Sequence, residues 1–185
     1  MTDEQPRLVV LDRDGVINRD SDDFIKTPQE WVPLPGSLDA IAALYGAGWT
    51  VVVASNQSGL GRGLFDAAAL DAIHAKMGDC IRAAGGELGG IFVCPHRPDV
   101  NCDCRKPKPG LLRQIETAYG RRLVDQPVIG DSMRDLEAAR SVGAQAILVR
   151  TGNGMQTEQS LDAGHDILVF DHLAGAARHL IDATP

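Results

Sequence analysis

Residues 8–15 read Leu8-Val9-Val10-Leu11-Asp12-Arg13-Asp14-Gly15, and this stretch decides the fold. Four apolar residues without alternation suit a strand covered on both faces, as in a parallel sheet. The run stops abruptly on two carboxylates and a glycine. The form recurs downstream: residues 50–54 end in Ser55-Asn56, residues 91–93 in Cys94, and residues 127–129 in Gly130-Asp131. Residues 146–149 and 166–170 supply two further runs. Helical patterns alternate with them. Leu38, Ile41 and Leu44 mark a helix over 37–45, stopped by Gly46 and Gly48. Asp66 is placed to cap a helix that ends before Gly85-Gly86. Further helices are expected over 111–119, 134–142 and 172–181. This order predicts an α/β fold: an open, mostly parallel sheet with helices on both faces, joined by right-handed crossovers. A single domain is expected over residues 1–185, with no linker and no repeat.

Composition narrows the partners. Lys and Arg number 18 against 25 Asp and Glu, a formal charge of −7, and aromatics are 4% of the chain. Nucleic-acid and anionic-membrane surfaces call for the opposite sign, so neither partner is expected. That balance also counts against a zinc-knuckle module binding nucleic acid, which would need a basic, aromatic-rich face. No apolar run approaches the roughly 20 residues of a membrane span. The acidic start, Met1 to Pro6, lacks the apolar core of a signal peptide, so a cytoplasmic location is expected; a monomer is expected as well.

In open α/β sheets, ligands bind at the carboxyl ends of the strands. Those ends here carry Asp12, Ser55, Cys94 and Asp131. Asp12 and Asp14 lie two residues apart and can face one cavity, where a divalent cation, Mg²⁺ by its oxygen ligands, would neutralise them. A carboxylate so placed can attack phosphorus, and its neighbour can protonate the leaving oxygen. Ser55 and Asn56 offer a hydroxyl and an amide to phosphate oxygens without adding charge. Arg105-Lys106-Pro107-Lys108-Pro109-Gly110 is the densest basic cluster; its prolines suggest an extended segment, and a Lys there would stabilise charge in transfer. Asp131 is placed to complete a metal shell. Asp135, a turn later, is placed to cap the following helix or to orient Lys106.

Cys94-Pro95-His96 and Cys102-Asp103-Cys104 form a second constellation. Three thiolates and an imidazole within eleven residues suit a closed tetrahedral Zn²⁺ site, structural in role, over residues 94–104. Cys80 stands apart within a predicted helix and reads as a small buried residue. His74, His165, His172 and His179 show no partner pattern and read as surface or packing residues.

Together these motifs resemble the haloacid dehalogenase superfamily of phosphotransferases, from Leu8 to about Arg150. The resemblance implies Asp12 as nucleophile and Asp14 as general acid/base, with Ser55 and Lys106 holding the phosphoryl group. It implies Mg²⁺ on Asp12, the Asp14 carbonyl and Asp131. Within the superfamily, the zinc loop is similar to two sister groups, the heptose-bisphosphate phosphatases and the histidinol-phosphate phosphatases. Residues 56–63 and 149–152 resemble the heptose group; the short gap between His96 and Cys102 is closer to the other. A sugar phosphate is therefore the expected substrate, with histidinol phosphate as the alternative. Only 40 residues separate Asp14 from Ser55, and 49 separate Asn56 from Lys106. Neither gap fits the separate cap domain of many relatives. An open site is expected, rimmed by the zinc loop and residues 20–24. Arg105 would meet the distal part of the substrate, with Asp20, Gln57, Ser58 and Ser132 as further contacts.

Overall fold

The structure, a computed structural model, describes residues 7–183. Six strands form one parallel sheet: β1 (Arg7–Leu11), β2 (Trp49–Asn56), β3 (Leu88–Cys94), β4 (Pro127–Gly130), β5 (Gln145–Val149) and β6 (Leu168–Phe170). Their spatial order is β3-β2-β1-β4-β5-β6, so the chain reverses direction of travel between β1 and β4. Loops leaving neighbouring strands on opposite sides of that point open a crevice, the usual ligand site of such sheets.

Among the described residues there are seven α-helices: α1 (Ser37–Gly46), α2 (Ser58–Gly61), α3 (Ala67–Ala83), α4 (Gly110–Tyr119), α5 (Met133–Ser141), α6 (Gly154–Gln159) and α7 (Leu173–Asp182). The unbroken apolar strands have their explanation here. Val9 and Leu11 face one core with Ile41 and Leu44 of α1, Ile73 and Met77 of α3, and Leu180 of α7. Leu8 and Val10 face the other, with Leu111 and Ile115 of α4 and Leu136 of α5. Adjacent residues on a strand thus point into different buried layers, and both must be apolar.

The expected elements are all present, with differences at their edges. β3 is longer than residues 91–93 because Gly89 and Gly90 belong to it. Glycine hides the strand in the sequence, yet a Cβ at Gly89 would overlap the Thr50 side chain and the Tyr119 hydroxyl. β6 begins at Leu168 and not at residue 166; Asp166 is exposed and pairs with Arg140 at 2.5 Å. The short helices α2 and α6 were not expected, being a single turn or two without a periodic face. Residues 105–108 are not extended as their prolines suggested: Lys108 N–H bonds back to the Arg105 carbonyl at 2.9 Å. Cys80 is half-buried and packs against the first core.

Between β1 and α1 the chain adds only a loop, residues 12–36, pinned by the fully buried Trp31 and Ile17. Among the described residues, no cap domain stands over the strand ends. Asp66 caps α3 as expected, its Oδ1 accepting from Ala69 N–H at 2.8 Å. Asp66→Ala should therefore lower stability by about 1 kcal/mol. A urea midpoint that falls at constant m-value would show it, and an unmoved midpoint would refute it.

Candidate active site

The carboxyl ends of β1, β2 and β4 converge on an open cleft. Asp12, Asp14, Asp20, Asn56, Gln57, Ser58, Arg105, Lys106, Asp131, Ser132 and Asp135 all line it. Ser55 lies buried beneath, its Oγ accepting from Gln57 Nε2 at 2.7 Å.

Lys106 is the hub. It is 3% exposed, and its ammonium reaches Asp12 Oδ1 at 3.0 Å, Asp135 Oδ1 at 2.6 Å and the Ala54 carbonyl at 2.6 Å. Those three acceptors take all three of its N–H donors. Burial works against its charge, but the Asp12 and Asp135 carboxylates outweigh burial and hold the Lys106 pKa above its ordinary value. Asn56 fixes its backbone: Lys106 N–H donates to Asn56 Oδ1, and Asn56 Nδ2 donates to the Lys106 carbonyl, both at 3.1 Å. Asp135 contacts both Lys106 and the start of α5. One oxygen meets Lys106 while the other accepts from Ser132 N–H at 3.1 Å and Ser132 Oγ at 2.5 Å, forming a capping box at α5.

Asp12, Asp131 and Asp135 each place a carboxylate oxygen within 4.8 Å of the others. Burial pushes the Asp12 carboxyl up to about 8; Lys106 opposes this, while Asp135, Asp131 and Asp14 add to it. Burial likewise raises Asp131 to about 6, against hydrogen bonds from Asn153 N–H (2.8 Å) and Nδ2 (3.1 Å). Three crowded carboxylates face one ammonium, so the donor set fits a hard divalent cation, whose charge would hold them ionised. Two glycines make room for this. Gly15 and Gly152, both at positive φ, abut Asp131, and a Cβ on either would overlap its carboxylate.

Asp14 is held apart from this cluster. Its carboxylate accepts from Arg13 Nε (3.1 Å) and Nη2 (3.0 Å), Asn18 Nδ2 (2.8 Å) and Gln57 Nε2 (2.8 Å). Gln57 Oε1 accepts from Arg13 in turn, at 3.1 Å. Arg13, 1% exposed, also lies 3.4 Å from His74 Nε2 on α3, and burial beside that guanidinium lowers His74 to about 4. Arg13, Asn18, His74, Asn153 and Arg134 are the site residues that sequence reading passed over. Arg13 alone carried a signal, standing between the two carboxylates.

The second constellation closes on itself. Cys94 Sγ lies 3.1 Å from Cys104 Sγ and 3.6 Å from Cys102 Sγ, and the latter two are 3.5 Å apart. His96 Nδ1 is 3.3 Å from Cys104 Sγ and 3.7 Å from Cys94 Sγ. Ligands around tetrahedral zinc, with Zn–S near ~2.3 Å, stand roughly 3.5–3.8 Å apart, so the group can hold that ion with no open position. The four cysteines form no disulfide.

This sheet order and strand-end carboxylate site define a hydrolase of the haloacid dehalogenase-like class, and a HAD-hydrolase-like family model matches residues 103–176. The chain is 55% identical over 175 residues to the D-glycero-beta-D-manno-heptose-1,7-bisphosphate 7-phosphatase of Pseudomonas aeruginosa, covering 94% of this chain and 97% of that one. It is 38% identical over 141 residues to the D-glycero-alpha-D-manno-heptose-1,7-bisphosphate 7-phosphatase of Mycobacterium tuberculosis, covering 74% and 73%. The crystal structure of D,D-heptose 1,7-bisphosphate phosphatase from B. bronchiseptica, complexed with magnesium and phosphate, superposes with a TM-score of 0.93 at 50% identity, over 96% of this chain and 99% of that one. The chain belongs to the family of these heptose-1,7-bisphosphate 7-phosphatases.

Purified protein should carry about one equivalent of zinc without added metal. Cys102→Ser should release it and lower the thermal midpoint, since structural zinc contributes folding energy. Metal analysis without zinc, alongside freely titrating thiols, would overturn this assignment.

Proposed function

We propose that this protein is a phosphatase that removes the 7-phosphate of D-glycero-D-manno-heptose 1,7-bisphosphate, through an aspartyl-phosphate on Asp12. The observation that carries this reading is the strand-end carboxylate of Asp12 held 3.0 Å from the buried Lys106 ammonium, under an open cleft. The 55% identity to a phosphatase of that name, across nearly its whole length, supports it. The β anomer is the first substrate to test, because the relatives named for it are the more similar.

In the first step an Asp12 oxygen attacks the 7-phosphorus. The bond from phosphorus to the sugar oxygen breaks, and that oxygen takes a proton from Asp14. In the second, water attacks the aspartyl-phosphate, Asp14 receives its proton, and phosphate and the free Asp12 carboxylate result. Lys106 offsets the charge that grows on the transferring oxygens, and the Ser55 hydroxyl, beneath the cleft, is the second group assigned to hold the phosphoryl group. Arg13, Asn18 and Gln57 hold the Asp14 carboxylate between steps, and Gln57 joins it to Ser55 through one amide nitrogen. Mg²⁺, bound by Asp12, the Asp14 carbonyl and Asp131, supplies charge that offsets repulsion between carboxylate and phosphate. Zinc on Cys94, His96, Cys102 and Cys104 is structural and sets the loop that carries Arg105 and Lys106. Asn56, Gln57, Ser58, Arg105, Asp20 and Ser132 make up the wider substrate surface, Arg105 towards the phosphate that stays. The chain works as one catalytic unit, a monomer in the cytoplasm, with neither nucleic acid nor membrane as a partner. Among the described residues, no helix is long and apolar enough to cross a membrane.

Asp12→Asn should abolish turnover with the fold intact; activity within about tenfold of wild type would remove Asp12 as nucleophile. Asp14→Asn should lose ~10²–10⁴-fold on the sugar phosphate and far less on nitrophenyl phosphate, whose leaving group needs no proton. Equal losses on both would argue against the acid role. A phosphate-release screen with Mg²⁺ over both bisphosphate anomers, the heptose monophosphate and histidinol phosphate tests the substrate. The bisphosphate should show the highest kcat/KM. Faster turnover of histidinol phosphate would overturn the assignment.

A further inference from the structure

We propose that Arg134 is a substrate-binding residue, forming with Arg105 a two-guanidinium clamp for the phosphate that the enzyme leaves on its product. This rests on the bisphosphate reading above and adds to it a residue that lies between Asp131 and Asp135 and that no motif position singles out.

Arg134 and Arg105 line the catalytic cleft together, and both also line the neighbouring groove that runs past Pro98, Asn101 and Lys108. They come from different elements, Arg134 from the first turn of α5 and Arg105 from the zinc loop. The Arg105 side chain has one hydrogen bond, to the His96 carbonyl at 3.2 Å, and no carboxylate partner among the described residues. The Arg134 side chain is exposed and, among the described residues, takes part in no hydrogen bond or ion pair.

Folding does not account for Arg134. A cation in the first turn of a helix opposes the helix dipole, and Ser132 with Asp135 already caps α5. Nor do the two guanidinium groups stabilise each other, since like charges lining one cleft repel. A dianion between them relieves that repulsion and gains charge-assisted hydrogen bonds from two planar forks. The reacting phosphate is not that dianion, because Lys106 and Ser55 serve it deeper in the site. Of the acidic side chains on the cleft, Asp14 pairs with Arg13 while Asp12 and Asp135 pair with Lys106, which leaves Arg105 and Arg134 as its cations without a carboxylate partner among the described residues. A phosphate esterified to the far end of a short sugar fits there.

The test compares kcat/KM for heptose 1,7-bisphosphate and heptose 7-phosphate in the zinc- and magnesium-loaded full chain. Arg134→Ala should cut the bisphosphate-to-monophosphate ratio about tenfold, the scale of one charge-assisted hydrogen bond, chiefly through KM. Arg134→Lys should restore part of the ratio, and the Ki of heptose 1-phosphate as a product inhibitor should rise in parallel. An unchanged ratio and Ki in a variant with the wild-type thermal midpoint would overturn the clamp and leave the bisphosphate assignment standing. A wild-type enzyme with no preference for the bisphosphate would overturn both. An equal loss on both substrates would also overturn the clamp, placing Arg134 at the reacting phosphate.

Discussion

The buried ammonium of Lys106 is the interaction on which the rest of the site depends. It joins three parts of the fold that share no sequence neighbourhood: the end of β1 through Asp12, the end of β2 through the Ala54 carbonyl, and the start of α5 through Asp135. Its backbone is tied to β2 a second time through both ends of the Asn56 amide. Taking an ion pair out of water is favourable only when geometry is tight and every remaining donor is met, and both conditions hold here. Removing the cation would leave buried carboxylates facing each other, a loss on the order of 3–5 kcal/mol for a broken buried pair. The same residue is thus a structural pin and the charge that meets a transferring phosphoryl group.

The loop that delivers Lys106 has little apolar content of its own, and its cysteines supply what a core would otherwise provide. Four ligand atoms gathered within 4.8 Å can fix Cys104, and with it Arg105 and Lys106, through one metal. Gly110 lets α4 start directly against this loop, since a Cβ there would overlap the Asp103 carbonyl. A rigid rim of this kind takes the place of a cap: the cleft stays open, and recognition falls to fixed side chains around it. Asp14 shows the same economy of motion, its carboxylate gripped from three sides by Arg13, Asn18 and Gln57.

Much of this was legible in the chain itself, because local rules govern it. Unalternating apolar runs announced strands buried on both faces, and polar residues at their ends marked the ligand side of the sheet. The cysteine and histidine spacing announced a metal site, since chelating pairs must be close in sequence to bite one ion. Asp66 as a cap and Gly85 as a helix stop follow from backbone geometry alone. Where the sequence misled, a residue had been judged by its own propensity while a neighbour decided its state. Gly89 sits in β3 where Thr50 and Tyr119 leave no room for a side chain, Gly90 follows it against Phe92 and Tyr119, and the proline-flanked basic segment turns sharply instead of running extended.

What the tertiary structure alone decided is which charges meet. Nothing in the neighbourhood of Arg13 says that it is buried, that His74 sixty-one residues away closes over it, or that Asn153 turns both its amide and its backbone toward Asp131. Nor does the sequence put Arg134 beside Arg105. Ligand types, strand ends and helix caps are set by residues within a turn or two of one another, and a sequence displays them. Partnerships between buried charges are set by strand order, which brings β1 beside β4 across more than a hundred residues of chain, and only the folded sheet displays those.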